Sequence, residues 1–272
     1  MAGLDPYPGR LPSEIASRVS GGLPESEAVR EFCLGVLEAV EPEAAAVKLQ
    51  AAFFERLGPE GMEVYRDVIR AARDLDLPVI SDVKRGDIGP VAAAYAEAHL
   101  SVYGASCVTV NPYMGSDAIQ PFLDESRRLG LGGGVFALVA TSNPSADAVQ
   151  GAGEPPLFEC VARLVAGLGE RSGDYSDAGA VVGATRPEVG ARVRELMPEA
   201  LFLVPGFGAQ GGSAEGIKKM LDRRGGGVLV NSSRSIVYAY ERGDTAGKDY
   251  RKLSRRAASE ARLALREAGA RP

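Results

Sequence analysis

Short apolar runs alternate with amphipathic helical patterns along the whole chain. The eight predicted strands are Ala2–Asp5, Ala45–Gln50, Val79–Lys84, Cys107–Asn111, Val135–Thr141, Ala180–Gly183, Leu201–Pro205 and Val228–Ser232. The eight predicted helices are Glu25–Val40, Glu60–Leu75, Val91–Tyr103, Asp117–Arg128, Leu157–Arg171, Pro187–Leu196, Ala214–Arg223 and Thr245–Ala268. Strict alternation of strand and helix predicts a parallel sheet. Eight repeats predict an α/β fold of the (β/α)8 class, the TIM barrel.

The length of the chain agrees with this fold. Its 272 residues are close to the roughly 250 that such barrels need. Because no linker, charge block or low-complexity tract interrupts the pattern, we expect a single domain spanning residues 1–272. A doubly wound open sheet is the alternative architecture.

Polar residues cluster where the predicted strands end. They are Asp5, Lys48, Asp82, Lys84, Asn111, Thr141, Ser142, Asn143, Gln210, Ser232, Ser233 and Arg234. Active sites of barrel enzymes lie at the carboxyl ends of the strands. The pattern therefore predicts a ring of functional groups around one mouth of the barrel.

The most informative segment follows the third apolar run, where Asp82, Lys84 and Asp87 stand at offsets of 0, 2 and 5. Residues i and i+2 of a strand share a face, so we expect the side chains of Asp82 and Lys84 to lie side by side. A carboxylate and an ammonium at a largely buried strand end are costly to desolvate. Such pairs are typical of catalysis or of binding a charged ligand.

Two further charges have simpler alternative roles. Lys48 is expected to point into the barrel, because its apolar neighbours Val47 and Leu49 suit the helix layer, but it could be a surface lysine at a strand end. Asp87 precedes Gly89-Pro90 and could be a helix N-cap, a position that Asp favours.

Two loops late in the chain have features of a phosphate site. A glycine-rich loop, Pro205–Gly212, follows the seventh predicted strand, and Ser232–Ile236 follows the eighth. These two loops often bind phosphate in barrels, together with a helix N-terminus. Arg234 adds a guanidinium that matches phosphate oxygens. The glycine loop alone is weak evidence, since glycines also make turns.

Composition excludes several classes of protein. The net charge of −5 argues against a nucleic-acid binder. No apolar run approaches the roughly 20 residues of a membrane span. Charged residues and prolines interrupt the first ten residues, which therefore do not resemble a signal peptide. These features predict a cytoplasmic protein without membrane or nucleic-acid partners.

The few cysteine and histidine residues limit the kinds of catalytic and metal site that the chain could form. Cys33, Cys107 and Cys160 are odd in number and far apart, which fits a reduced cytoplasm, and we expect all three to be small buried side chains. His99 is the only histidine and lies in a helical pattern. A histidine-based hydrolase triad and a multi-histidine metal site are therefore excluded.

Eight motifs together resemble one known family. They are Gly3–Pro6, Val47–Gln50, Ser81–Gly89, Val110–Gly115, Thr141–Pro144, Val182–Thr185, Pro205–Gly212 and Asn231–Ile236. They occur in order over nearly the whole chain. They resemble the motifs of orotidine 5′-phosphate decarboxylases, in particular the longer bacterial subgroup (type 2).

The resemblance implies conversion of orotidine 5′-monophosphate (OMP) to UMP and CO2, the last step of de novo pyrimidine synthesis, without metal or organic cofactor. It implies a charged network of Lys48, Asp82, Lys84 and Asp87, with Lys84 as the proton donor. Asp87 would reach into the partner subunit's site, so the functional unit would be a homodimer.

The resemblance also implies the substrate contacts. Asp5 would hold the ribose hydroxyls and Ser142 the pyrimidine ring, while Gln210 and Arg234 would bind the phosphate. The family normally has a threonine four residues after its second Asp, where this chain has Val91, and we expect weaker substrate binding as a result. About four residues precede Asp5, so we also expect the natural chain to begin upstream.

Three alternatives remain. A sugar-phosphate decarboxylase or aldolase of the same superfamily would use a metal, typically with an acidic residue on strand two, where Lys48 stands. A Schiff-base aldolase using Lys84 is disfavoured because flanking carboxylates keep a lysine protonated and poorly nucleophilic. A catalytically inactive nucleotide-binding barrel is disfavoured by the presence of all four charged residues.

Overall fold

The structure, a computed structural model, describes residues 1–130, 132–207, 211–242 and 249–271. The chain divides into two compact units. The first comprises Met1–Asp82 and Ser232–Leu263, and the second comprises Val83–Asn231 and Ala264–Pro272.

In the described part of the chain the strands are β1 Ala2–Leu4, β2 Val47–Gln50, β3 Val79–Arg85, β4 Cys107–Val110, β5 Gly134–Ala140, β6 Arg171–Ser172, β7 Tyr175–Val182, β8 Ala200–Pro205 and β9 Val228–Asn231. The α-helices are α1 Ser13–Ser20, α2 Glu25–Val40, α3 Ala52–Glu55, α4 Gly58–Asp74, α5 Gly89–Ala96, α6 Gln120–Leu129, α7 Asp147–Gln150, α8 Leu157–Leu168, α9 Pro187–Leu196, α10 Ala214–Lys218, α11 Arg234–Val237 and α12 Tyr250–Glu267.

Parallel pairing organises the strands of the first unit. β1 pairs with β2, where Gly3 lies opposite Lys48. β2 pairs with the start of β3, where Gln50 lies opposite Asp82. Ser232, the residue directly after β9, forms a parallel bridge with Ala2. The strand ends that carry Lys48 and Asp82 are therefore neighbours in one sheet.

The second unit continues the same pattern. β4, β5, β7, β8 and β9 pair in that order, all in parallel. The two-residue strand β6 pairs antiparallel with the beginning of β7, where Ser172 lies opposite Tyr175.

Strand order along the chain, β1-β2-β3-β4-β5-β7-β8-β9, confirms the predicted (β/α)8 class. Eight parallel strands of the described chain correspond to the eight predicted ones, with helices between them. The prediction of one domain spanning residues 1–272 stays a prediction.

Several predicted boundaries differ from the structure. The helix predicted over Leu157–Arg171 ends at Leu168, because Arg171–Ser172 pairs as a strand with the start of β7. The same hairpin explains why β7 begins at Tyr175, earlier than its apolar run indicates. The helix predicted from Val91 begins at Gly89 and becomes a π-helix over Glu97–Val102.

Each unit has its own apolar core. In the first unit Phe32, Phe54 and Tyr65 are fully buried, and the Phe54 and Tyr65 ring centroids are 5.3 Å apart. In the second, Phe122 and Phe202 are fully buried. Burying one such side chain stabilises the fold by about 1.5–3 kcal/mol.

The cysteine prediction holds for Cys33, which is buried, but not for all three residues. Cys107 is partly buried and Cys160 is exposed. In α8 the buried residues include Phe158 and Ala162, and Cys160 lies midway between them in sequence. Residues two apart in a helix do not share a face, so Cys160 is on the outer side.

Candidate active site

A buried cluster of charged and polar side chains lies in the first unit, on β2 and β3 and directly after β1. The Lys48 Nζ is 2.8 Å from Asp82 Oδ2 and 3.6 Å from Asp5 Oδ1. Gln50 Nε2 donates a hydrogen bond to the same Asp82 oxygen at 3.1 Å. Lys48 is only 4% exposed and Asp82 only 7%. The surface-lysine alternative for Lys48 is therefore wrong.

The charge of Lys48 is stabilised by its carboxylate neighbours. Burial alone would lower the pKa of the Lys48 ammonium, but the charges of Asp5 and Asp82 outweigh this effect and raise the pKa above its ordinary value. Lys48 therefore stays protonated throughout the physiological pH range. A buried ion pair of this kind is costly to break, because either partner alone would be an uncompensated charge.

The direction of the β3 side chains in the first unit follows strand alternation. Ser81 is fully buried, and its hydroxyl forms a hydrogen bond with the Tyr65 hydroxyl of α4, so it faces the helix layer. Asp82 is the next residue and therefore faces the opposite side of the sheet, where Lys48 meets it.

Asp5 directly follows β1, and a tyrosine holds its backbone. The Tyr238 hydroxyl donates to the Asp5 carbonyl at 2.7 Å and accepts from the Tyr7 backbone N–H at 2.8 Å. The guanidinium of Arg10 lies 3.7 Å from the centre of the Tyr238 ring. These contacts fix the loop that places the Asp5 carboxylate near Lys48.

Lys84, in the second unit, departs from regular strand geometry. Its φ is +49°, in the left-handed region that residues with a Cβ rarely occupy. The backbone N–H groups of Val83 and Lys84 both donate to the Thr109 hydroxyl oxygen, each at 2.9 Å. The alternation rule from which the sequence placed Asp82 and Lys84 on one face therefore does not apply at Lys84.

Asp87 is not the N-cap of the following helix. α5 begins at Gly89, its N-cap residue is Ile88, and no side chain caps it. The Asp87 Oδ1 instead accepts from the Ile88 backbone N–H at 2.9 Å, and the residue is partly buried. The N-cap alternative for Asp87 is wrong.

Ser142 lies in the loop after β5 and is partly buried. Its neighbour Thr141 is held by Gln150, which accepts from the Thr141 N–H at 2.9 Å and donates to the Thr141 hydroxyl at 2.7 Å. A Cβ at Gly183 would come within 2.7 Å of the Ser142 Cβ. Glycine is therefore required at position 183 for this loop to pack against the end of β7.

The glycine-rich loop after β8 closes on itself at its base. The Gly212 N–H donates to the Gly206 carbonyl at 3.0 Å. Phe207 and Gly212 form an isolated parallel β-bridge. Gln210, one of the two predicted phosphate ligands, lies outside the described residues. The other, Arg234, is the first residue of α11 in the first unit and is exposed.

Three residues that support these groups were not among the predicted site residues. Gln50 had a sequence signal, because it stands two residues after Lys48 and shares its face. Thr109 and Tyr238 had none, since a hydroxyl that holds another segment's backbone leaves no pattern in its own segment.

Across the residues that the structure describes, no three His, Cys, Asp or Glu side chains are grouped closely enough to hold a metal ion. None of the described helices combines the length and apolar character needed to cross a membrane.

Comparison with known proteins identifies the family. A sequence model of the orotidine 5′-phosphate decarboxylase / HUMPS family matches residues 25–249. The chain belongs to this family. It is 42% identical to the orotidine 5′-phosphate decarboxylase of Rhodopirellula baltica, over 88% of this chain and 83% of the relative. It is 45% identical to that of Deinococcus radiodurans, over 88% of this chain and 84% of the relative.

A solved member of the orotidine 5′-phosphate decarboxylase family shares the fold. The structure of Leishmania donovani OMP decarboxylase matches this chain with a TM-score of 0.75, at 33% identity. The match covers 98% of this chain and 93% of that protein. The sequence-based assignment to the family is therefore confirmed.

Proposed function

We propose that this chain converts orotidine 5′-monophosphate to UMP and CO2, and that Lys84 supplies the proton. The observation that carries the proposal is the strand end Asp82-Val83-Lys84, whose Asp82 is paired with the buried Lys48 in a chain of this family. The relatives from R. baltica and D. radiodurans carry the name of this activity.

The reaction breaks the bond between C6 of the pyrimidine and its carboxyl group. The bonding electron pair stays on C6, CO2 leaves, and the Lys84 ammonium delivers a proton to C6. The resulting amine regains its proton from solvent. An ammonium beside C6 stabilises the developing negative charge before it acts as the acid.

Asp82 and Lys48 have different roles in this proposal. The Asp82 carboxylate crowds the substrate carboxylate and favours its departure. Lys48 compensates the buried charges of Asp82 and Asp5, as its pairing with both supports. Without this ammonium, the two carboxylates would lose the opposite charge that lies next to both of them.

The remaining predicted residues bind the substrate. Asp5 accepts hydrogen bonds from the ribose hydroxyls. Its buried Oδ1 has only the Lys48 ammonium nearby among the described residues, at 3.6 Å, beyond hydrogen-bond distance, which supports a ligand role. Ser142 contacts the pyrimidine ring, while Gln210 and Arg234 bind the phosphate. Binding energy from the distant phosphate then lowers the barrier at C6.

We further propose that the active unit is a homodimer in which Asp87 completes the partner's site. Exposed apolar side chains flank Asp87 along the chain and follow β4 in the same unit. They are Ile88, Val91, Tyr95, Val102, Tyr113 and Met114, of which Val102 is 65% and Tyr113 84% exposed. Large exposed apolar residues in this number favour a protein partner.

A mixing experiment tests the shared site. K84A and D87A chains are each expected to be inactive, and a 1:1 mixture refolded together should recover about a quarter of wild-type activity. Half of the dimers are then mixed, and each mixed dimer has one intact site of two. Recovery near zero, with mixed dimers shown by mass spectrometry, would contradict the proposal that Asp87 enters the partner's site.

We also propose that the enzyme acts in the cytoplasm.

The test of the reaction itself is the loss of OMP absorbance with formation of UMP. The purified chain should convert OMP at the same rate with and without a metal chelator. Activity abolished by chelator, or turnover of a sugar phosphate instead of OMP, would favour the metal-dependent members of the superfamily. Binding of UMP without any turnover would favour an inactive nucleotide-binding barrel.

A further inference from the structure

The Thr109 side chain of β4 holds the backbone on both sides of the Val83–Lys84 peptide bond. Its hydroxyl oxygen accepts the N–H groups of Val83 and Lys84, each at 2.9 Å, and Thr109 is 1% exposed. A hydroxyl has two lone pairs and can accept both bonds at once.

This pattern does not occur in a regular strand. Consecutive N–H groups of an extended strand point to opposite sides, so two of them cannot reach one acceptor. Their convergence on Thr109 accompanies the φ of +49° at Lys84. Such a conformation persists in a residue with a Cβ only where the surroundings determine it, and it is concentrated at functional sites.

A second contact holds the segment just beyond Lys84. The Asn111 N–H donates to the Arg85 carbonyl at 2.7 Å. A Cβ at Gly86 would come within 3.1 Å of both Cβ and the carbonyl oxygen of Asn111, so the two backbones are in close contact there. The segment after Lys84 is thus held by a backbone hydrogen bond, and the Thr109 hydroxyl holds the backbone at Lys84 itself.

We propose that Thr109 is a positioning residue, which sets the direction of the Lys84 ammonium through these two backbone hydrogen bonds. The inference rests on the proposed role of Lys84 as the acid. Thr109 acts through the Lys84 backbone, without a contact of its own to the substrate. Because proton transfer requires the reacting atoms within about 3–3.5 Å, a small displacement of Lys84 slows the chemical step more than it weakens binding.

Three variants test the inference. T109V has the same shape but no acceptor, T109S keeps the acceptor, and S126A removes a different buried hydroxyl of the same unit. We expect T109V to lower kcat by about 10- to 100-fold, with KM for OMP and Kd for UMP changed less than about threefold. T109S should stay within about threefold of wild type in kcat, and S126A should match wild type.

Hydrogen exchange gives a readout that is independent of turnover. The amides of Val83 and Lys84 should exchange faster in T109V than in wild type or T109S. If T109V does not fold, T109C replaces it, because its sulfur is a weak acceptor.

Several results would overturn the inference. They are a kcat for T109V within threefold of wild type, a rise in KM without a fall in kcat, unchanged exchange at both amides, or a loss in T109S as large as in T109V. A wild-type chain that leaves OMP intact would overturn the proposed function and this inference together. An active wild type with an equally active T109V would overturn the inference alone.

Discussion

Val91 stands where the resemblance to orotidine 5′-phosphate decarboxylases leads us to expect a threonine. It is exposed and lies in the first turn of α5, four residues after Asp87. We predict that V91T raises kcat/KM for OMP by about 2- to 10-fold, since one added hydrogen bond contributes about 0.5–1.5 kcal/mol. Steady-state kinetics measure this, with V91A as the control that adds no hydroxyl. A kcat/KM for V91T no higher than for V91A would contradict the prediction.

Lys48 is predicted to be essential for stability as well as for the site. K48M removes the buried positive charge that lies next to both Asp82 and Asp5. We expect the free energy of unfolding to fall by about 3–5 kcal/mol, measured by urea denaturation. The control is K219M, which breaks an exposed pair with Glu188 and should cost at most about 1 kcal/mol. Equal losses in the two variants would show that burial of the Lys48 pair is unimportant.

Side-chain positions could be predicted from sequence where a strand keeps its regular alternation. Alternation along β2 placed Lys48 on the side away from the helix layer, and the structure pairs it there with Asp82. The same rule failed at Lys84, because a side chain from β4 pulls the backbone out of the extended form. A non-local hydrogen bond of this kind cannot be predicted from the segment that it distorts.

At the scale of elements, one buried arginine of α9 joins several segments of the second unit. The Arg194 guanidinium donates to the carbonyls of Met197, Ala200, Met220 and Gly227, at 2.6–3.1 Å. Burial lowers its pKa to about 10. The side chain therefore connects the end of its own helix to β8 and to the segment before β9.

We predict that R194M lowers the free energy of unfolding by about 2–4 kcal/mol, because four carbonyl groups lose their donor. Urea denaturation measures the change. R192M on the same helix is the matched control, since Arg192 is half-exposed and pairs with Glu159 and Glu195. R192M should lower the free energy of unfolding much less than R194M, because solvent screens exposed ion pairs. A loss in R194M no larger than in R192M would contradict the structural role of Arg194.

A carboxylate of α6 makes the stability of the second unit depend on pH. Hydrogen bonds from Arg128 and Ser101 lower the pKa of Glu125 to about 2. A lowered pKa in the folded state adds stability that is fully present above the unfolded pKa of about 4.5 and is lost as pH falls toward 2. Because Arg128 is exposed, solvent screening keeps this contribution below about 1 kcal/mol.

We therefore predict that wild type is more stable than E125Q at pH 7 and that this difference shrinks by pH 3. Urea denaturation at both pH values measures the free energy of unfolding of each chain. The difference between wild type and E125Q excludes the effect of the carboxylates that both chains contain. E260Q is the control, since Glu260 pairs with Arg256 at an exposed position of α12. A difference between wild type and E125Q that is constant from pH 7 to pH 3 would refute the assignment.

At the scale of the whole molecule, the order and type of the main elements could be predicted from sequence. Short apolar runs marked all eight parallel strands, and periodic patterns located α2 and α9 with their observed bounds. Shorter elements, such as α3, α7 and the β6–β7 hairpin, were missed, because two to four residues carry no detectable period. The motifs gave the family, which the comparisons confirm.

Lys84 has the central role in the proposed reaction. The measurement that tests it is OMP decarboxylation, followed by absorbance and by UMP formation, in wild type and in a K84A chain of equal thermal stability. We predict that wild type forms one UMP for each OMP consumed and that K84A lowers kcat by at least about a thousandfold. A K84A chain that keeps kcat within tenfold of wild type would contradict the account.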